Sequence, residues 1–194
     1  CTSYAYSPDI FNKGFFVLLS GCGLGVSLRR KYVSQLPKIN ARNSNAKVFV
    51  IPDSIEGWSE SIKVLLSSYC LHPSLYKEYF GYQIKFDFSQ IREKGAYITG
   101  GFKAPGPDGL KLSLEKIEQL YERTLSGKES VDFSSILAYD TFMFISDAVL
   151  SGGVRRSAMS IIMDPDDTEL INAKIGNWRY ANPQRARSNN SVAL

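Results

Sequence analysis

Three cysteines, Cys1, Cys22 and Cys70, and one histidine, His72, are the residues that redox, nucleophilic or metal chemistry would have to use. A zinc site needs close pairs such as CxxC, and a disulfide scaffold needs a dense, even set; neither pattern occurs, so no metal site is expected. A Ser-His-Asp or Cys-His site would rest on His72 alone, and Leu71-His72-Pro73 reads as a turn or helix end. A reducing, cytoplasmic setting is the default expectation.

A second chemical cluster lies in residues 151–194, SGGVRRSAMSIIMDPDDTELINAKIGNWRYANPQRARSNNSVAL. Residues 154–163 largely alternate apolar and polar positions, as a half-buried strand does. Asp164 is placed to cap a helix, with Pro165 at its first position, Asp166, Asp167 and Glu169 complementing the positive helix start, and Gly176 as a stop. Residues 177–190 have no apolar period, yet carry Arg179, Gln184, Arg185 and Arg187 beside Trp178 and Tyr180. That composition suits a loop touching something planar and anionic.

Charge is distributed to the same effect. The net charge is +4, but residues 10–52 hold seven basic residues and no acid, and residues 172–194 hold Lys174, Arg179, Arg185 and Arg187 and no acid. Residues 53–169 hold 18 acids against 12 bases. Both acid-free segments are placed to face phosphate, although a solvated basic face gives the same pattern. The bases are interleaved with apolar residues and no nucleic-acid motif accompanies them, which argues against a nucleic-acid partner. No uncharged apolar run reaches the roughly 18 residues of a membrane span. A length of 194 residues with 44% hydrophobic content fits a single unit with a real core.

The elements that must position these residues alternate in type. Residues 2–6 read as a short strand, and Ser7-Pro8-Asp9 starts an apolar helix that ends at Ser20-Gly21-Cys22-Gly23-Leu24-Gly25. A strand resumes at 26–28, residues 29–46 read as an irregular surface loop, and 48–51 as a strand. Asp53, with Glu56 three residues on, is placed to cap a helix bearing Ile55, Trp58, Ile62, Leu65, Leu66 and Tyr69 on one face. Tyr82, Ile84, Phe86 and Phe88 alternate with polar residues, which predicts a strand. Residues 91–109 form a glycine-proline loop, followed by helices over 110–125 and about 132–150. This alternation indicates an α/β fold.

Neither glycine-rich segment is a standard phosphate motif. The glycines at 21–25 follow a helix and precede a strand, the reverse of a dinucleotide fingerprint. Gly101 and Gly106 have P-loop spacing, but Pro107 stands where the lysine is required.

Taken together, several stretches resemble class II, adenosylcobalamin-dependent ribonucleotide reductases, and most closely the monomeric ribonucleoside-triphosphate reductase type. They are Ser20 to Ser27 (SGCGLGVS), Asp53 to Trp58 (DSIEGW), Ile91-Arg92 with Lys94-Gly95-Ala96, Lys103 to Pro107 (KAPGP), Ser151 to Ala158 (SGGVRRSA) and Asn182 to Leu194 (NPQRARSNNSVAL). They occur in the family's order and span nearly the whole chain.

The resemblance implies reduction of ribonucleoside di- or triphosphates to deoxyribonucleotides by thiyl-radical chemistry. It implies part of a ten-stranded α/β barrel, incomplete on its own, with residues 1–194 as one segment and 29–88 as an insertion completing the effector site. Cys1 matches the first-strand cysteine of the reducing dithiol. Cys22, Gly23 and Gly25 match the substrate ribose wall. Arg92, Gly95, Gly100 and Gly101 match the first specificity loop, which holds a dNTP effector; Gln184, Arg185 and Arg187 match the second, and Asp9 is placed to bind effector ribose. The implied cofactor is adenosylcobalamin, bound mostly by other parts, and the implied partners are a thioredoxin-like reductant and the remaining fragments of the same reductase.

The family's radical-bearing cysteine loop has no counterpart, since no cysteine follows Cys70. The chain alone is therefore expected to be inactive. Its start at Cys1 rather than Met fits an intein-bounded piece, one gene of a split enzyme, or a truncated piece. A non-catalytic nucleotide-binding regulatory module is the alternative reading.

Overall fold

In the computed structural model, which describes residues 2–97, 103–150 and 158–193, the centre is a parallel sheet of four strands. Strand β1 (Thr2–Tyr4) leads into helix α1 (Asp9–Leu19) and strand β2 (Leu24–Ser27). Then come α2 (Arg30–Val33), β3 (Ile39–Asn40), β4 (Ala46–Val50), α3 (Ile55–Tyr69), a 3-10 turn (Lys77–Tyr79) and β5 (Gln83–Asp87). After the glycine-proline loop follow α4 (Asp108–Leu125), β6 (Ser130–Val131), α5 (Ser135–Leu150) and β7 (Met159–Met163). The chain continues through α6 (Thr168–Asn172), α7 (Trp178–Ala181), a 3-10 turn (Pro183–Arg187) and β8 (Ser188–Val192). The central sheet has the order β1-β2-β7-β8, all neighbours parallel.

One face of this sheet is dry. Leu24, Val26, Met159 and Ile161 point to it and are buried. A Cβ on Gly14 of α1 would lie 2.9 Å from Leu24 Cδ2, and Ser146 of α5 reaches Met159 Sδ, so α1 and α5 cover that face. Phe11, Phe142 and Phe133 pack between them, with ring centroids 4.7 and 5.8 Å from Phe11. Helix α5 is apolar almost all round because α1, α4 and the sheet enclose it.

Segment 29–88 is fastened to α4. Strand β3 pairs antiparallel with β6, and β4 pairs in parallel with β5. Arg42, whose side chain is 5% exposed, donates to Glu118 and Glu122 of α4 and stacks 4.1 Å from the Tyr69 ring. Tyr69 donates to the same Glu122 oxygen at 2.7 Å, and burial pushes its phenol strongly up.

Several sequence expectations change. The stretch 29–46 is not all loop, because α2 and β3 lie within it. Ser54, not Asp53, caps α3, accepting from Gly57 N at 3.0 Å; Asp53 instead pairs with Arg92 at 2.5 Å. Likewise Asp167, not Asp164, caps α6, accepting from Leu170 N at 3.1 Å. Asp164 is drawn into a tertiary contact, accepting from Arg29 Nε at 2.6 Å and Arg30 N at 2.8 Å. The supposed loop 177–190 contains α7, a 3-10 turn and the start of β8. The strand expected over 154–163 is described only as β7, since residues 151–157, with the diglycine, lie outside the described residues. The ten-stranded barrel is not visible in four parallel strands; a mixed α/β fold with a parallel sheet is.

Candidate functional site

Strand register brings Gly25, one of the expected ribose-wall residues, into line with small polar residues of the neighbouring strands. Because paired residues in parallel strands share a face, Thr2, Gly25, Ser160 and Asn189 form one transverse row. At about 4.8 Å per strand, the row spans about 14 Å. It lies on the face opposite α1 and α5; Thr2, Ser160 and Asn189 are exposed and Gly25 is half-buried. Hydroxyl, bare backbone, hydroxyl and carboxamide follow one another: groups able to donate to and accept from a sugar without steric bulk.

Cys22 is exposed and Gly23 adjoins it, just before β2. A Cβ on Gly23 would sit 3.7 Å from Ala158 O, ordinary contact, so the described packing alone does not demand glycine there. Cys1, one residue before the row, lies outside the described residues. Cys70 is buried in the core and its thiol is pushed up to about 12 by burial, so it is a packing residue.

The segment expected to be the second specificity loop is anchored to α5 by two arginine-aspartate pairs of unlike character. Arg185 donates to both Asp140 oxygens, at 2.8 and 2.7 Å, and to Ala173 O at 2.9 Å, and it is nearly buried. Arg187 makes one described ion pair, to Asp147 at 2.5 Å, and both side chains remain more than a third exposed. Tyr139 bonds Ser188 Oγ at 3.0 Å, fixing the start of β8 to α5. Gln184 is buried and contacts Asn182.

The other expected effector residues stand apart from these in the described contacts. Asp9 pairs with Lys13 one turn along α1; burial raises its carboxyl, while Lys13 and Ser7 draw it lower, to a net value below the usual range. Arg92 is held by Asp53. The glycine-proline loop has a narrow neck: Gly95 N donates to Ala104 O, Ala104 N to Ala96 O, and Tyr97 bridges to Lys103. Gly106 has φ +75°, and a Cβ there would fall 2.9 Å from Lys94 N, so only glycine closes this neck without strain. Gly95 also has positive φ, while Gly100 and Gly101 lie outside the described residues.

A cavity of about 630 Å³ opens between α4, α5 and residues 181–187. Gln184 and Arg187 line it from one side, and Lys116, Gln119 and Arg123 of α4 from the other. Leu112, Leu120 and Phe144 add apolar surface. Its size lies within the range of small-molecule sites. The α4 residues were missed in the sequence, where Lys116, Gln119 and Arg123 look like the solvated stripe of an amphipathic helix; their i, i+3, i+7 spacing was the only signal.

No family model matches the chain. It is 38% identical over 150 residues, 75% of its length, to a probable adenosylcobalamin-dependent ribonucleoside-triphosphate reductase of Dictyostelium discoideum. The chain belongs to this family of reductases. It is also 30% identical over 74% of its length to the adenosylcobalamin-dependent ribonucleoside-triphosphate reductase of Euglena gracilis. With the enzyme of that name from Lactobacillus delbrueckii it shares 27% identity over 93% of its length. The matched part spans only 18% of the Dictyostelium relative and 28% of the Lactobacillus one. A crystal structure of a B-12 dependent (class II) ribonucleotide reductase has the same fold, with a TM-score of 0.75 over 95% of this chain and 28% of that one, at 22% identity.

Among the described residues no helix is long and apolar enough to cross a membrane, and no cluster of His, Cys, Asp and Glu could hold a metal ion.

Proposed function

We propose that this chain is the part of a ribonucleoside-triphosphate reductase that carries one redox cysteine, the wall for substrate ribose and the two allosteric specificity loops. The observation that carries this reading is the row Thr2–Gly25–Ser160–Asn189, small hydrogen-bonding groups on the sheet face opposite α1 and α5, which starts at the residue that follows Cys1 in the sequence. Ribose of the ribonucleotide lies across that row, with Cys22, Gly23 and Gly25 as its wall. Cys1 is one thiol of a pair whose partner comes from another part of the reductase; oxidation of the two thiols to a disulfide supplies the two electrons for reduction. A thioredoxin-like protein then restores the dithiol.

A dNTP effector contacts Asp9, Arg92 and the glycines of the first loop, Gly95, Gly100 and Gly101, together with Gln184 and Arg187 of the second. Arg185, with its donors committed to Asp140 and Ala173, holds the second loop in place. Segment 29–88 completes the effector site by fixing α4 through Arg42. The central sheet is one part of a ten-stranded barrel that other fragments of the reductase complete, and the chain is inactive without them.

Adenosylcobalamin, named in the relatives, supplies the radical when bound. Among the described residues no cluster of His, Cys, Asp and Glu would hold a metal ion, and most of the cofactor's seat belongs to other parts of the reductase.

Cys1→Ser tests the reading in enzyme reconstituted with the rest of the reductase. Multiple turnover with a dithiol reductant should disappear; unaltered turnover would leave the chain a nucleotide-binding regulatory module. Arg187→Ala should change which substrate an effector favours, and an equal loss for every substrate would count against the loop's role.

A further inference from the structure

The cavity between α4, α5 and residues 181–187 has a charge imbalance that its own side chains do not resolve. Its charged lining is Lys116, Arg123 and Arg187 against Asp147 alone, and Asp147 is already paired with Arg187. Lys116 and Arg123 are exposed on α4, two turns apart on one stripe, and neither has a carboxylate within salt-bridge distance among the described residues. Two cations therefore face a concave space with no counter-ion, while a third is held by a partly exposed, single-oxygen contact. The apolar side of the same space, Leu112, Leu120 and Phe144, suits a flat uncharged body rather than a bare ion.

We infer that this cavity is a polyphosphate-binding site in which Lys116 and Arg123 take phosphate oxygens and Asp147 is the resting occupant of Arg187, displaced when a phosphate arrives. The two anchors of the segment explain why the exchange is local. Arg185 is bonded to both oxygens of a nearly buried Asp140 and to a carbonyl, so releasing it would strand a buried charge. Arg187 is more than a third exposed, and trading one anion for another costs it little. The exchange is thus confined to the Arg187 side chain, with Arg185 on one side and Ser188, held by Tyr139, on the other staying in place. The step from polyphosphate to nucleotide rests on the effector reading proposed above; the anion site itself does not.

Calorimetric titration of the 194-residue chain at low ionic strength, with sodium tripolyphosphate and with dATP, separates the two. Tripolyphosphate should bind, and Lys116→Ala or Arg123→Ala should each weaken it about tenfold, the worth of one charge-assisted hydrogen bond. Asp147→Asn should tighten it several-fold, and Lys111→Ala, on α4 but off the cavity wall, should leave it unchanged. Thermal melts of these exposed-site variants check that each is folded. Absence of tripolyphosphate binding, an unchanged affinity in Arg123→Ala or Asp147→Asn, or an equal loss in Lys111→Ala would overturn the site. Binding of tripolyphosphate with dATP no tighter would keep the site and sink the effector reading instead.

Discussion

The two ends of the central sheet are built to opposite specifications. At the end where the strands begin, the face away from α1 and α5 carries Thr2, Gly25, Ser160 and Asn189, small and mostly exposed. At the end where they finish, the chain is stitched shut. Leu28 N donates to Ile162 O, Ala193 N to Met163 O, and Asp164 receives both Arg29 Nε and Arg30 N. Tyr4 lies against Tyr32 of α2 with centroids 4.7 Å apart, and Ser27, on the same face as Gly25, is buried. In open α/β sheets ligands sit beyond the carboxyl ends of the strands. Here the carboxyl ends are covered by Arg29, Arg30 and Asp164, and among the described residues the more open end is the one where the strands begin.

If the closed end is structural, breaking it should cost far more stability than altering the open one. Asp164→Ala strands Arg29 and frees the Arg30 amide; it should lower unfolding free energy in urea by about 2–3 kcal/mol. A loss below about 0.5 kcal/mol would erase the distinction. Acid should act on the same contact. Burial raises the Asp164 carboxyl, but Arg29 and the Arg30 amide lower it by more, so its net value is depressed. A carboxyl depressed in the folded state contributes stability above its unfolded value of about 3.9, lost as pH falls below that value. Melting temperature should therefore fall more steeply below pH 4 in the native chain than in Asp164→Asn.

At the open end, Ser160→Ala and Asn189→Ala should each change stability by less than about 0.5 kcal/mol. In the reconstituted reductase they should raise the KM for substrate, and unchanged kinetics would leave the row without a role. The smallest difference concerns thiols. Iodoacetamide at neutral pH should alkylate Cys22 in the folded chain and spare Cys70, as peptide mass mapping would show; modification of both would mean the core opens readily.

Periodicity made part of this legible. Tyr82, Ile84, Phe86 and Phe88 announced β5, and the apolar run after Asp9 announced α1, because local pattern and burial agree there. Where two polar residues competed for one job, sequence could not choose. Asp53 and Ser54 both suit a helix start, as do Asp164 and Asp167, and each outer acid was claimed by a distant arginine. The start of strand β8 was read as loop for a different reason: its inward positions, Ser188 and Asn190, satisfy the Tyr139 hydroxyl instead of filling apolar space. The pair β3 and β6 is two residues long and has no period to read. The cavity depends on α4 meeting residues 181–187, a contact no linear spacing encodes.

The neck at Gly106 carries an implication for how such a chain can vary. Gly95, Ala96, Ala104 and the Tyr97–Lys103 bridge hold the two sides of the neck together through main-chain contacts alone. Side chains on either side of the neck can change while these backbone contacts stay, whereas Gly106 cannot gain one without meeting Lys94. The neck behaves as a fixed fitting.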